Sequence, residues 1–230
     1  MESLLISKQE YEQARNSVIH VSSVELFGVI PYGYHQGMFA DKINITGCNL
    51  LCKNCITPQY CYESRHDIVK PVKSIFQAVF RTQAVAPVTV VLSGGEPTSI
   101  GHFQLVALCD SLYNYETIIV QTNGTNPFDK LHCKQPEKIW NCVTIRASSS
   151  YTINKGLTNI DEINILVTEQ LPKDLLYDIT TAYPDLPKFL IPDESNYEMC
   201  YMHAVEAKRK NKYPAKKCME WAIRPMLRRK

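Results

Sequence analysis

The sequence predicts an α/β fold built on a partial, open barrel with six mainly parallel strands, and three observations support this prediction. Short runs rich in β-branched residues alternate with longer segments that carry apolar residues at helical spacing. This alternation is typical of a parallel sheet covered by helices. Six such runs are too few for a closed barrel of eight units. The most distinctive polar motifs also follow strands, at the carboxyl ends where ligands bind in such sheets.

Each predicted strand is a short run in which Val, Ile and Thr are frequent, and each predicted helix is a longer run with a repeat near 3.6 residues. The strands are predicted at Lys42–Thr46, Val88–Ser93, Thr117–Gln121, Cys142–Ile145, Asp161–Val167 and Lys188–Ile191. The helices are predicted at Val72–Arg81, His102–Leu112 and Lys173–Ala182.

Composition predicts one domain over residues 1–230, with a core at about 40–195 and a basic helical segment at 196–230. The chain has 230 residues, of which 45% are hydrophobic, enough to bury a substantial core. Lys and Arg total 25 against 23 Asp and Glu, so the whole chain has no basic field that would attract nucleic acid. No run approaches the roughly 20 apolar residues that a membrane span requires. We therefore expect a cytoplasmic protein without a membrane or nucleic-acid partner.

Three cysteines stand in one short run with the spacing C-x3-C-x2-C, at Cys48, Cys52 and Cys55. Three thiolates are one fewer than a closed four-iron cluster needs, so a cluster held here would keep one iron open. Structural zinc is the alternative, with Cys61 or His66 as the fourth ligand. Disulfides are disfavoured because the chain has 9 cysteines, an odd number, and begins without an apolar signal segment.

A second motif, Gly94-Gly95-Glu96-Pro97, directly follows the predicted strand Val88–Ser93. Glycines at a strand end allow the backbone to approach a ligand closely or to adopt positive φ. A plain tight turn is the alternative interpretation. The run Thr122-Asn123-Gly124-Thr125 follows the next predicted strand in the same way.

The cysteine spacing followed by G-G-E-P resembles the radical S-adenosylmethionine superfamily, whose fold is a partial (β/α)6 barrel. The resemblance implies a [4Fe-4S] cluster held by the three cysteines, S-adenosylmethionine bound at its open iron, and an electron donor such as flavodoxin or ferredoxin. In that superfamily the glycine motif binds the methionine amino group of the cofactor. The cofactor-binding residues so implied are Gly94, Gly95, Glu96, Gln121, Thr122 and Asn123.

Over nearly the whole chain the sequence is similar to the 7-carboxy-7-deazaguanine synthases. The runs G-C-N-L-L-C-K-N-C-I-T-P-Q-Y, L-S-G-G-E-P-T, Q-T-N-G-T and D-E-I occur in that family's order. The resemblance implies a lyase that contracts the ring of 6-carboxy-tetrahydropterin to a 7-deazaguanine, on the route to queuosine. It also implies magnesium, for which Thr57 is the candidate ligand, and we expect a small-molecule substrate and a homodimer.

The chain departs from that family mainly on the substrate side. Asn44 stands where the family has an arginine, Ile56 replaces an aspartate beside Thr57, and Arg146 falls in the family's Ser-Pro-Lys segment. Tyr32, Asn44 and Arg146 are the candidate substrate residues, since a guanidinium can bind a carboxylate or phosphate through two parallel hydrogen bonds.

Two alternatives stay open because the substrate residues are replaced. One is an activating protein that abstracts hydrogen from a glycine of a partner enzyme. The other is a binding protein that keeps the fold without turnover. The extent of the match favours the synthase, and the intact cysteine and glycine motifs argue against a mere scaffold.

Overall fold

A computed structural model describes residues 6–52, 55–75, 88–146, 153–155, 157–167, 173–192, 198–202 and 222–223. The α-helices are α1 (Lys8–Asn16), α2 (His102–Ser111) and α3 (Lys173–Ala182). The strands are β1 (Val18–Val29), β2 (Phe39–Ile45), β3 (Ile68–Pro71), β4 (Thr89–Gly94), β5 (Thr117–Thr122), β6 (Ile139–Arg146), β7 (Glu162–Val167), β8 (Lys188–Pro192) and β9 (Ala222–Ile223).

The chain divides into two compact units, each assembled from separate segments. Unit 1 comprises Met1–Gly28, Phe39–Asn141 and Asn154–Asn159. Unit 2 comprises Val29–Met38, Cys142–Ile153 and Ile160–Lys230. The prediction of a single domain over residues 1–230 stays a prediction.

Unit 1 contains strands in the order β3-β1-β2-β4-β5, followed by the first residues of β6. β2 pairs with β4 and β4 with β5 in parallel, while β1 and β3 are antiparallel. In this register Ile45 lies opposite Gly94, and Leu92 lies opposite Val120. The carboxyl ends of β2, β4 and β5 therefore meet at one edge, which brings together the loops that follow them.

Unit 2 contains the end of β6 and the strands β7, β8 and β9, all paired in parallel. Ile145, Ile165, Leu190 and Ile223 occupy matching positions across these four strands. Every residue of β7 and β8 is buried, as expected for parallel strands covered on both faces. A buried cluster in this unit combines Tyr32 with Leu166, Phe189 and Ile191.

The six predicted strands are confirmed as β2 and β4 to β8, and two predicted helices are confirmed as α2 and α3. Of the helix predicted at Val72–Arg81, only residues 72–75 are described, and Val72–Ser74 forms a 3-10 turn. The remainder lies outside the described residues.

The prediction omitted β1, β3 and β9, so the described sheet is larger and less uniformly parallel than expected. β1 alternates buried Ile19 and Val21 with more exposed neighbours, which weakens its apolar signal. Most of β1 belongs to unit 1, although it precedes residue 40, where the core was predicted to begin. The predicted helical segment at 196–230 is wrong at β9, where pairing with β8 makes a short strand.

Among the described helices, none is both long enough and apolar enough to span a membrane.

Candidate functional site

The cysteine loop begins two residues after β2, at the edge of unit 1 where three parallel strands end. Cys48, Cys52 and Cys55 are each partly exposed, so their thiols are accessible. Gly47 precedes them with φ of 97°, and a Cβ there would meet no described atom within 4 Å. The loop therefore combines accessible thiols with open space beside them.

The glycine turn after β4 packs directly on the cysteine loop. The backbone N–H of Gly95 donates to the Ile45 carbonyl at 2.8 Å, and that of Glu96 donates to the Gly47 carbonyl at 2.7 Å. A Cβ at Gly95 would lie 2.7 Å from the Tyr60 carbonyl oxygen and closer still to the Gly47 backbone. Gly95 is therefore required by the contact between two loops, whether or not a ligand is bound.

The Glu96 side chain joins the loop after β4 to the loop after β5. Its Oε1 accepts from the Thr98 N–H at 3.0 Å, the Thr98 hydroxyl at 2.6 Å and the Thr122 hydroxyl at 2.7 Å. Its Oε2 accepts from the Asn123 N–H at 2.5 Å. Burial raises the pKa of the Glu96 carboxyl, and the hydrogen bonds oppose that shift. The Glu96 carboxyl therefore links two of the predicted cofactor motifs through hydrogen bonds inside the protein.

Asn49 connects the cysteine loop to the same β5 loop. Its Nδ2 donates to the Thr125 hydroxyl at 2.7 Å, and its Oδ1 accepts from Asn123 Nδ2 at 2.9 Å. Asn123 Oδ1 in turn accepts from the Thr125 N–H and hydroxyl. The three loops that follow β2, β4 and β5 therefore form one hydrogen-bonded network. Asn49 was not among the predicted site residues, although its place inside the cysteine run was a usable signal.

Thr57 and Cys61 line the cysteine loop on the side of Cys55. The Thr57 hydroxyl donates to the Gly94 carbonyl at 3.2 Å and lies 3.8 Å from Cys55 Sγ. Cys61 Sγ is buried and lies 3.9 Å from Cys55 Sγ. Burial, together with Cys55 and Cys48, raises the pKa of Cys61 to about 12. Cys61 is thus a fourth thiol close to the predicted set of three.

The thiols of this loop are of the ligand type that both iron–sulfur clusters and structural zinc take. Among the described residues, no three His, Cys, Asp or Glu side chains are grouped to hold one metal ion. Tetrahedral zinc would need four ligands about 2.3 Å from one point. A cluster takes one thiolate on each of several irons, so its ligands stand further apart. Cys48, Cys52 and Cys55 supply three partly exposed thiols of this type on one loop.

The backbone at Gly95 offers an acceptor to a ligand. Within the described residues, its carbonyl oxygen takes part in no hydrogen bond, while the Gly94 and Glu96 carbonyls accept from Thr57 and Ser99. Gln121 lies half-buried at the end of β5, and Thr122 is buried beside Glu96. All six predicted cofactor residues therefore lie at the carboxyl ends of β4 and β5 or on the loops that follow these strands, and the network joins those loops to the cysteine loop.

Asn44 occupies the β2 position at which a substrate residue was predicted. It is buried, and its Nδ2 donates to Ser23 Oγ at 3.0 Å and to the Tyr60 hydroxyl at 3.4 Å. Tyr60 belongs to the 3-10 turn Pro58–Tyr60 that follows the cysteine loop. Asn44 thus stabilises that turn through its hydrogen bond to the Tyr60 hydroxyl.

The other two predicted substrate residues, Tyr32 and Arg146, lie in unit 2. Tyr32 is buried, and desolvation together with Cys142 raises the pKa of its phenol well above the ordinary value. A side-chain hydrogen bond with Thr144 opposes that shift, and the charge of Arg146 opposes it to a smaller extent. Both predicted residues therefore belong to the same unit.

A buried polar group in unit 2 holds the loop that carries Tyr32. Glu162 Oε1 accepts from Asn164 Nδ2 at 2.6 Å and from Cys142 Sγ at 3.2 Å. Its Oε2 accepts from the Tyr34 N–H at 3.2 Å. A Cβ at Gly33 would collide with the Glu162 carboxyl, so glycine allows this approach. Sequence analysis missed Glu162 as a positioning residue, although it noted the D-E-I run that contains it.

Comparisons relate the chain to known proteins. Its sequence is 29% identical over 140 residues to the 7-carboxy-7-deazaguanine synthase of Bacteroides thetaiotaomicron, covering 60% of this chain and 65% of that protein. The chain thus matches somewhat less than two thirds of that relative's length. Its structure matches the crystal structure of QueE from Escherichia coli with a TM-score of 0.73 at 16% identity, covering 96% of this chain and 100% of that one. No protein-family profile matches the chain.

These findings confirm two predictions. The chain resembles a 7-carboxy-7-deazaguanine synthase in sequence, as its motifs indicated. It also has the fold of QueE, which confirms the predicted α/β class with an open, partial barrel.

Proposed function

We propose that this chain is a radical S-adenosylmethionine enzyme of the 7-carboxy-7-deazaguanine synthase type. The observation that carries the proposal is the network joining the loops after β2, β4 and β5. This network holds a three-thiol loop, a glycine turn with an open carbonyl and the Thr-Asn-Gly-Thr loop at one edge of a parallel sheet. Ligands of α/β proteins bind at such an edge.

In this proposal each loop has a separate task. Cys48, Cys52 and Cys55 would hold a [4Fe-4S] cluster, and the Gly95 carbonyl would accept a hydrogen bond from the amino group of S-adenosylmethionine. When bound, the cluster would supply the electron that cleaves the cofactor into methionine and a 5′-deoxyadenosyl radical. Glu96 and Asn49 would keep the loops in register, because each spans two of them. Preorganisation of this kind reduces the cost of ordering the site on binding.

The substrate side rests on fewer residues. We propose 6-carboxy-tetrahydropterin as the substrate and 7-carboxy-7-deazaguanine as the product, supported by the relative's name and the sequence match. Arg146 would bind the substrate carboxylate through two parallel hydrogen bonds, with Tyr32 beside it. Asn44 would act on the substrate side only through the Tyr60 turn. Thr57 would offer its hydroxyl oxygen to magnesium.

The proposal includes partners and a setting. A small iron–sulfur or flavin protein, such as ferredoxin or flavodoxin, would deliver the electron, and the protein would work as a cytoplasmic homodimer. Size-exclusion chromatography with light scattering would measure the oligomeric state directly.

Anaerobic reconstitution tests the enzyme class. The wild-type chain should take up a four-iron cluster, seen by iron and sulfide content and electron paramagnetic resonance, and should release 5′-deoxyadenosine when reduced. Cys52→Ala should lose both properties. Cys109→Ala, a change at a buried cysteine on α2, is the matched control and should keep both. Full cofactor cleavage by the Cys52 variant would overturn the assignment.

The substrate is tested separately. Incubation of the reconstituted enzyme with 6-carboxy-tetrahydropterin should give 7-carboxy-7-deazaguanine by mass spectrometry. Arg146→Lys keeps the charge but loses the planar fork, so it should raise KM by roughly ten to a hundredfold, equivalent to about 1.4–2.8 kcal/mol, with a smaller effect on kcat. Strong cofactor cleavage without this product would remove the proposed substrate while leaving the enzyme class intact.

A further inference from the structure

A fourth thiol lies beside the predicted cluster ligands, and its position is fixed by the backbone. Cys61 closes the 3-10 turn Pro58–Tyr60, and its N–H donates to the Pro58 carbonyl at 3.2 Å. The preceding Tyr60 carbonyl accepts from the Gly47 N–H at 2.9 Å. These bonds tie the turn to the start of the cysteine loop, so Cys61 is held against that loop.

The Cys61 thiol interacts with Cys48, and two further acceptors lie 3.9 Å from its sulfur. One is the Sγ of Cys55, and the other is the carbonyl oxygen of Thr57. The side chain is 7% exposed, so water offers it little competition. A hydrogen bond to an ionised sulfur is stronger than one to a neutral carbonyl, which favours Cys55 as acceptor whenever Cys55 is a metal-bound thiolate.

The nearby hydroxyl of Thr57 does not compete for this role. It lies 3.8 Å from Cys55 Sγ, but its single proton is directed to the Gly94 carbonyl at 3.2 Å. A hydroxyl has one proton to donate, so of these two described side chains it is Cys61 that can supply a donor to this sulfur.

From this geometry we propose that Cys61 is a positioning residue that donates an S–H hydrogen bond to the cluster ligand Cys55 and thereby raises the reduction potential of the cluster. The inference rests on the proposed function, because it requires a cluster at Cys48, Cys52 and Cys55. Reduction adds negative charge to the cluster and its thiolates. A donor to a ligand sulfur stabilises the more negative state, and such hydrogen bonds are among the factors that set cluster potentials.

Two other roles for Cys61 differ from this one in what they predict. As a fourth ligand, Cys61 would close the open iron, so its loss would change the iron content or the response of the spectrum to S-adenosylmethionine. As a purely packing side chain, it would be replaced equally well by any residue of similar size. A donor role alone requires that serine works and alanine does not.

The test is a redox titration of the anaerobically reconstituted protein, monitored by electron paramagnetic resonance. Cys61→Ala should load the same amount of iron as wild type, with a one-electron reduction equilibrium about tenfold less favourable, which is a potential about 59 mV lower. Cys61→Ser keeps a donor and should stay within about twofold of wild type. Cys109→Ala controls for the loss of a buried cysteine elsewhere in unit 1 and should leave the potential unchanged.

The outcomes separate this inference from the proposed function. If Cys61→Ala keeps the wild-type potential in a protein that loads its cluster and cleaves the cofactor, the inference alone is overturned. A lower iron content in Cys61→Ala would show that Cys61 is a cluster ligand. A reduction potential of Cys61→Ser as low as that of Cys61→Ala would show that Cys61 is a packing residue. Both results overturn the donor role. A wild-type chain that takes up no cluster would overturn the proposed function and this inference with it.

Discussion

Replacing Glu96 tests whether the loops after β4 and β5 are held together by one buried carboxyl. Glu96→Gln is nearly isosteric and can keep its carbonyl oxygen at the Oε1 position, where it still accepts from Thr98 and Thr122. The amide nitrogen then occupies the Oε2 position and faces the Asn123 N–H, so two donors oppose each other. A donor left without an acceptor away from water costs about 1–3 kcal/mol. We therefore expect Glu96→Gln to lower the free energy of unfolding by about 2 kcal/mol.

Glu96→Ala should cost more, because it removes both oxygens. The backbone N–H groups of Thr98 and Asn123 then lack acceptors, which doubles the penalty to about 4 kcal/mol. The hydroxyls of Thr98 and Thr122 lie 3.5 Å apart and can bond to each other, so they add little.

Urea unfolding followed by circular dichroism at pH 7 measures both variants, with the slope checked for constancy. Glu63→Gln is the matched control, since its side chain is 72% exposed and the change should stay within about 0.5 kcal/mol. The reasoning is refuted if Glu96→Gln unfolds at the wild-type midpoint, or if the glutamine and alanine variants lose equal stability.

Three further substitutions test the packing of unit 1. Gly95→Ala should destabilise the protein by about 1–3 kcal/mol and lower cluster occupancy, because its Cβ meets the rigid Gly47 backbone. Tyr115→Phe should cost about 1.5–3 kcal/mol at pH 7, since the Tyr115 hydroxyl donates to Asp41 Oδ2 at 2.8 Å. Asn44→Arg, which introduces the arginine typical of the resembling family, should cost about 1–3 kcal/mol by displacing buried neighbours. Chemical unfolding measures the stability of all three variants, and iron analysis measures the cluster occupancy of Gly95→Ala.

The tyrosine variant also predicts a pH dependence. Burial and Asp41 raise the pKa of Tyr115 above its ordinary value of 10.0, so the folded state keeps the proton longer than the unfolded state. The associated stability is complete below pH 10 and is lost as the pH rises through the folded value. Tyr115→Phe should therefore flatten the fall in stability above pH 10. An equally steep fall in the variant would contradict this account.

Controls for these variants lie close by. Gly28→Ala adds a Cβ whose three nearest atoms all belong to the flexible Glu25 side chain, so it should cost much less than Gly95→Ala. Tyr113→Phe changes a phenol that is 60% exposed and should leave stability within about 0.5 kcal/mol. An Asn44→Arg variant with wild-type stability would show that the β2 position can accept the family's arginine.

The central strands could be predicted from the sequence because strands buried in the sheet consist largely of apolar residues. β7 and β8 are buried at every residue, and both were located to within one residue at each end. β1 was missed because its central residues are only partly buried, so its alternation is weak. β9 is two residues long and forms by pairing with β8, a contact that no local pattern contains.

The motifs were located correctly from sequence, but the tasks of their side chains depend on contacts between distant residues. Glu96 was predicted to bind the cofactor, whereas the structure gives its carboxyl four internal donors from Thr98, Thr122 and Asn123. Its assignment to the cofactor stays a prediction, and any direct contact would have to compete with these bonds. Asn49 was not singled out because its partners Thr125 and Asn123 lie more than seventy residues away in sequence. Glu162 was not singled out because the Tyr34 N–H that it accepts from lies 128 residues away.

The cysteine spacing and the glycine turn are two separate motifs in the sequence, and the structure shows that they pack on each other and share hydrogen bonds. Gly95 needs to be glycine because the Gly47 and Tyr60 backbones lie where its side chain would be. The same approach directs the Gly95 and Glu96 N–H groups to the Ile45 and Gly47 carbonyls. The two motifs therefore occur together partly because they form the two sides of one packed contact. This contact also leaves Cys48, Cys52 and Cys55 partly exposed at the same edge of the sheet, where the proposed function requires accessible thiols.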